Sequence, residues 1–317
     1  MSHRPSRLHI AAVLAAGAGL FTSLLTTPPA SAAEDSVETQ HGISAGPTPE
    51  QAFFEDFSYT GSTDPRLAER GWSIKTGTAR PGDPGATWSA SGVTFPTYGS
   101  RHLLQLSSST NGTPAGTTQA QLSQQQKFFS GTYAARVRFS DAPIKDGPDG
   151  DKVVQAFFTL SPLASPMDPK YSELDYEYLP NGGWGSPGST MYTTSWYTYQ
   201  LSPWVAVNTH TELAQSYDGW HDLVIQVGDG HVKYYIDGAL FADHSGKYYP
   251  RTPMAIDFNQ WFIPGGLLAN STPRTYHEQV DYAYFAKDTI LTPQQVHAQV
   301  VAYRKANVDY TDNVTSP

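Results

Sequence analysis

Three carboxylates recur at a strict period of two in Tyr171-Ser172-Glu173-Leu174-Asp175-Tyr176-Glu177-Tyr178. Successive side chains of a β-strand point to opposite faces, so Glu173, Asp175 and Glu177 share one face while Leu174, Tyr176 and Tyr178 share the other. Like charges this close raise one another's pKa, which costs stability unless the row binds a cation or uses the proton that repulsion retains. A merely solvated strand face would mix its charges or use Thr, Ser and Lys. The chemistry that uses both an acid and its conjugate base is glycoside hydrolysis: one carboxylic acid protonates the leaving oxygen and a second carboxylate attacks or stabilises the anomeric carbon. Enzymes that retain configuration hold the two about 5 to 5.5 Å apart. The Cα atoms of Glu173 and Glu177 lie roughly 13 Å apart on an ideal strand, so the sheet must curve with this face concave to tip the long side chains together. Asp175 can then share a proton or hydrogen bond with Glu173 and hold it ready to attack, while Glu177 keeps its proton because two carboxylates sit nearby. Such a row titrates as one coupled system.

Three carboxylates on one face could also bind calcium, magnesium or manganese. Against this, a central strand offers only side chains, its carbonyls being committed to the ladder, whereas calcium usually takes oxygens from a bent loop. The ten histidines are scattered, there is no H-E-x-x-H, and the chain has no cysteine, so the common zinc frameworks are missing.

The elements that must position this row are short alternating runs separated by turn residues, the pattern of an all-β sandwich. Strands are predicted over His102 to Ser107, Gly131 to Phe139, Lys152 to Leu160, Ser172 to Leu179, Thr190 to Thr198, Trp220 to Val227, His231 to Ile236, Pro253 to Trp261 and Gln279 to Phe285. Asp229-Gly230 and Asp237-Gly238 mark tight hairpins. Loops Asp141 to Gly150 and Leu179 to Ser189, rich in Pro and Gly, are expected to rim a cleft. One helix is predicted, capped by Thr292 with Pro293 in its first turn and Gln295 completing a capping box. Leu291, Val296, Val300 and Tyr303 give it an apolar stripe that docks on the sandwich.

Over the whole chain, Arg4 and Arg7 precede an apolar run from Leu8 to Leu25 and the small-x-small Ala30-Ser31-Ala32, the arrangement of a cleaved export signal. The expected organisation is a signal peptide over 1–32, a flexible leader over 33–50, a catalytic β-domain over 51–288 and a C-terminal helix and tail over 289–317. The mature chain is thus expected outside the cell, with no membrane association and no disulfide, as a monomer. Gly42-Ile43-Ser44-Ala45-Gly46 fits G-x-S-x-G by chance, for no strand precedes it and no helix follows. The net charge of −9 becomes −11 once Arg4 and Arg7 leave with the signal, and the remaining basic residues are scattered singly, which excludes nucleic acid as a partner. The 19 Tyr, 14 Phe and 7 Trp exceed what a core needs, and exposed aromatic rings suit the C–H faces of sugars.

Glu173-Leu174-Asp175-Tyr176-Glu177 resembles the E-x-D-x-E signature of glycoside hydrolase family 16, the lichenase- and laminarinase-like jelly rolls. Gly131 to Val137, Val232 to Gly238, the run from Pro253 to Asn259 and Trp261, and Val280-Asp281-Tyr282 resemble further family strands in the right order, together covering roughly residues 53 to 286. The resemblance implies a concanavalin A-like β-jelly-roll sandwich, to which the predicted short C-terminal helix is added. It implies Glu173 as nucleophile, Asp175 as its partner and Glu177 as acid/base, with Tyr171 lining the subsite beside the cleaved bond. Trp184, Trp196 and Trp261 are the candidates for sugar stacking. Catalysis needs no cofactor; a structural calcium held by Glu55 and Asp281, away from the cleft, is implied. Where many β-1,3-glucanases carry a W-P-A-x-W run this chain has Val153-Val154-Gln155-Ala156-Phe157-Phe158, and Val227 stands where a Trp often follows. The expected function is therefore retaining endo-hydrolysis of a β-linked polysaccharide, first a neutral β-1,3 or β-1,3/1,4-glucan, an acidic protein being ill suited to a polyanionic glycan. A transglycosylase on the same fold is the first alternative. A lectin-like binder is the second, opposed by the acid row, from which a pure binder gains nothing.

Overall fold

Apolar residues at period two have to be covered on one side, and here two antiparallel sheets cover each other. A computed structural model describes residues 46–144 and 147–316; the predicted export signal and the leader up to residue 45 lie outside the described residues. The strands are β1 (Ala52–Glu55), β2 (Leu104–Thr110), β3 (Thr118–Gln124), β4 (Gly131–Phe139), β5 (Val153–Leu160), β6 (Glu173–Leu179), β7 (Thr190–Leu201), β8 (Trp204–Leu213), β9 (Gly219–Gly228), β10 (His231–Ile236), β11 (Ala239–Ser245), β12 (Ala255–Phe262) and β13 (Arg274–Lys287). Shorter strands, such as Trp72–Ile74 and Tyr310–Asp312, extend the edges. The sheet that carries the acids runs β3-β12-β5-β6-β7-β8. The back sheet runs β2-β13-β4-β9-β10-β11, with β1 beside the C-terminal half of β13. The all-β jelly-roll expectation agrees with this architecture.

The main core lies between the sheets. Leu174, Tyr176 and Tyr178 of β6 join Phe157 and Phe258 from the neighbouring strands and Ala135, Val137, Leu223, Ile225 and Phe285 from the back sheet. Burying side chains of this size contributes roughly 1.5–3 kcal/mol each, which fixes β6 with its acids on the opposite, open face. A one-residue slip would exchange the two sets. Asp229-Gly230 and Asp237-Gly238 turn β9 into β10 and β10 into β11, both residues of each pair having positive φ (53° and 78°, 50° and 80°), as a type I′ turn demands.

The second apolar layer lies outside the back sheet. There α2 (Pro293–Lys305) starts at Thr292, whose side chain accepts from the Gln295 amide while the Gln295 side chain accepts from the Thr292 amide. Leu291, Val296, Val300 and Tyr303 cover Phe54, Val224 and Tyr284, and the Tyr303 ring stacks on Phe54 at 4.9 Å. A five-residue helix, α1 (Pro65–Glu69), was not expected; Asp64 caps it, and Leu67 is its only buried residue, so it has no apolar period to read. No described helix is long and apolar enough to cross a membrane.

Candidate active site

β6 sits inside its sheet between β5 and β7, so every acid has a neighbour on both sides. Glu173 lies between Leu160 and Trp196, Asp175 between Phe158 and Thr194, and Glu177 between Ala156 and Tyr192. Three of these neighbours are apolar and strip water from the row. Asp175 is 3% exposed, whereas Glu173 and Glu177 remain half-buried. Tyr171 donates its hydroxyl to Glu173 Oε2, and Trp196 Nε1 donates to Asp175 Oδ2 at 2.9 Å. Burial first, then the charges of Glu173 and Glu177, push the Asp175 carboxyl far above the usual carboxylate range. Burial lifts Glu173 to about 7 against the opposing Tyr171 hydrogen bond, with the Asp257 charge adding to the rise. Burial and the Glu173 charge lift Glu177 to about 8. Burial thus raises all three above the ordinary carboxylate range, and they titrate as one group.

The aromatic candidates occupy different situations. The Tyr171 ring is buried edge-on to Tyr199 at 5.2 Å, so its exposed function is reduced to the hydroxyl on Glu173. Trp196 is half-buried, with its indole N–H already engaged by Asp175. Trp184 projects from the 179–189 loop, 48% exposed, with its ring 5.5 Å from Tyr192 and 6.3 Å from Trp261. Trp261 is buried in an open-face cluster with Val154, Phe158, Leu179 and Tyr192. Asn181 Nδ2 donates to Asp149 Oδ1 at 2.9 Å, which ties the Trp184 loop to the 141–150 loop.

Two strands away from the acids, β12 adds groups that the sequence reading passed over. Asp257 lies across Phe158 from Asp175. It is buried, accepts from Gln121 Nε2 at 3.2 Å, and is lifted to about 7 chiefly by desolvation. Asp257 Oδ2, Asn259 Oδ1 and Gln121 Oε1 are buried with no protein donor, and Gln121 stands opposite Asn259. Asn259 and Trp261 had entered only through the resemblance; the alternation Asp257-Phe258-Asn259-Gln260-Trp261 is the signal that places all three open-face groups together. A separate surface cavity of ≈ 370 Å³, lined by Arg138, Asp141, Asp218, His277 and Gln279 among others, contains none of the predicted site residues.

The two residues implied for a structural calcium, Glu55 and Asp281, engage separate protein partners. Glu55 accepts from the Phe57 amide (2.8 Å), the Tyr59 hydroxyl (2.5 Å) and Trp72 Nε1 (3.0 Å), and burial lifts it to about 7. Asp281 is paired with Arg304, which also holds Asp56. Each carboxylate is engaged by different protein donors. Among the described residues no cluster of three His, Cys, Asp or Glu side chains is placed to hold a metal.

Known proteins place this geometry in a class. Solved structures with the same fold include a Bacillus licheniformis beta-glucanase (18% identity, TM-score 0.54, 75% of this chain and 98% of that chain). A Bacteroides ovatus mixed-linkage glucan enzyme bound to its G4G4G3G product is similar at 15% identity and TM-score 0.54, over 73% of this chain and 98% of that one. A Flavobacterium laminarinase is similar at 14% identity and TM-score 0.53, over 75% of this chain and all of that one. No curated protein matches the sequence. The fold is that of a glycoside hydrolase. The sequence profile of glycosyl hydrolases family 16 matches residues 85–284, and the chain belongs to that family.

Proposed function

We propose that the chain is an exported endo-glycosidase that cleaves a neutral β-linked glucan, β-1,3 or mixed β-1,3/1,4, with retention of configuration. The observation that carries this reading is geometric: Glu173, Asp175 and Glu177 share the open face of one interior strand, with Tyr171 donating to Glu173 and Trp196 to Asp175. In the first displacement ionised Glu173 attacks the anomeric carbon, the glycosidic bond breaks, and Glu177 gives its proton to the leaving oxygen. In the second, ionised Glu177 takes a proton from water, whose oxygen attacks the same carbon and releases Glu173 as carboxylate. Asp175, pinned by Trp196 and kept neutral by burial, positions Glu173 without adding a third charge. The uncharged amides of Asn259, two strands from the acids, and of Gln121 opposite it, with the acidic residues around them, suit a neutral glycan better than a sulfate or uronate. The mixed-linkage and laminarin enzymes of the same fold support glucan as the first substrate to try.

The test is a panel of laminarin, mixed-linkage glucan, xyloglucan, galactan and agarose scored by new reducing ends, with the anomer first released read by NMR. Glu173→Gln is expected to lower kcat by at least about 10⁴-fold while thermal stability and glycan binding stay close to wild type. Retained turnover in that variant, or release of the inverted anomer, would remove the assigned roles.

A further inference from the structure

We infer that the tip of the β7–β8 hairpin is a distal glycan subsite with Trp204 as its stacking platform; the inference rests on the glucanase reading above. Trp204 opens β8 opposite Leu201 at the end of the ladder, and its side chain is 61% exposed. A tryptophan left this open on a sheet edge, beside exposed Leu201 and Val205, is apolar surface that a soluble fold ordinarily covers.

The ring is continuous with the catalytic row. Trp204 lies 5.9 Å from Tyr199, and Tyr199 lies 5.8 Å from Trp196 and 5.2 Å from Tyr171. Those last two residues are the ones that grip Asp175 and Glu173. One aromatic ring therefore separates the platform from the supports of the acids. The hairpin base is also held firmly: Arg251 donates to the Tyr197 carbonyl at 2.6 Å and lies 4.3 Å over the Tyr197 ring, while the Met167 amide donates to the Tyr199 carbonyl at 3.0 Å. A platform fixed before binding loses little freedom when a sugar arrives.

The chemistry of the patch selects its occupant. Tyr197 to Val207 contains no charged side chain, in a chain of net charge −9. An anionic membrane surface would need Lys or Arg beside Leu201, Trp204 and Val205, whereas the nearby cations Arg251 and Lys247 lie over Tyr197 at the hairpin base. A second copy of the chain would need about 800 Å² per partner, beyond what Leu201, Trp204 and Val205 supply. A neutral sugar face needs one flat, uncharged ring, which Trp204 provides.

The experiment compares wild type, Trp204→Ala and Trp204→Phe on glucan oligosaccharides of increasing length and on the polymer. The expected result is a loss of kcat/KM in Trp204→Ala that grows with substrate length, to about fivefold or more on the polymer, an unchanged melting temperature, and recovery of most of the loss in Trp204→Phe. No loss, or a loss independent of length, with an active wild type overturns the subsite and leaves the roles of Glu173 and Glu177 standing. Absence of glucan turnover by wild type overturns the proposed function and the subsite with it. Concentration-dependent dimers in sedimentation that vanish in Trp204→Ala would assign the patch to a second copy and overturn it as well.

Discussion

At the scale of single residues, the acid row is set by desolvation more than by mutual repulsion. Burial is the largest cause of the rise in Glu173, Asp175 and Glu177 alike, with neighbouring charges second for Asp175 and Glu177. The active form needs Glu173 ionised and Glu177 protonated, so kcat/KM should climb and then fall with pH, both limbs lying above the ordinary carboxylate range because burial raises both groups. A bell results, and its limbs belong to the coupled group. Asp257 offers a way to move one limb alone. Its negative charge raises Glu173 but is not among the causes acting on Glu177. Asp257→Asn should therefore shift the acidic limb toward lower pH and leave the alkaline limb in place, as read from kcat/KM profiles of the two proteins. A shift of both limbs, or an upward shift of the acidic one, would exclude this electrostatic role.

At the scale of elements, legibility followed burial on one side. β10 was read with its observed bounds and β6 to within one residue, because each buries one alternating face and leaves the other in solvent or in the site, and β4 was read with its observed bounds although its first five residues are all buried. β1 was missed because all four of its residues are buried and show no alternation. β8 was missed for the opposite reason: no residue of this edge strand is buried, so nothing in its sequence marks an inner face. β3, Thr118–Gln124, was passed over because it presents glutamines and serine to the site sheet. The contact of Trp196 with Asp175, like the placement of Asp257 near the acids, depends on pairings between strands that no local spacing encodes. Helix α2 was legible from its cap and its apolar stripe, and the cap is testable. Thr292→Ala removes the acceptor for the Gln295 amide and should cost about 1 kcal/mol, lowering Tm by about 2–3 °C. Calorimetry should show this with catalytic rates unchanged, because α2 packs behind the back sheet and not on the acids.

At the scale of the whole molecule, the two sheets are joined through the core by polar groups as well as apolar ones. Ser108 Oγ of β2 donates to the Gln260 carbonyl of β12 at 2.7 Å, and the Ser108 amide donates to Gln260 Oε1 at 3.0 Å. Glu278 of β13 reaches across to accept the Ala156 amide of β5 at 3.0 Å, directly behind the strand position that flanks Glu177. Glu278 is wholly buried, its Oε1 has no partner, and desolvation pushes its carboxyl far above the usual range. Glu55 and Asp257 are likewise lifted to about 7 by burial. In each case the folded chain keeps a proton that the unfolded chain releases near pH 4 to 4.5. Their contribution is therefore whole below that ordinary range, declines as pH rises, and is lost once pH passes the folded value, near 7 for Glu55 and Asp257 and well above the ordinary range for Glu278. Glu278→Gln separates this effect from loss of the contact, since the amide oxygen still accepts from Ala156 and no charge can form. The variant should melt close to wild type at pH 5 and several degrees above it at pH 9, the gap widening steadily between. A gap that stays constant with pH would mean that Glu278 is already ionised in the folded state, in which case the strap between the sheets is a buried anion and its removal should stabilise the protein equally at pH 7 and pH 9.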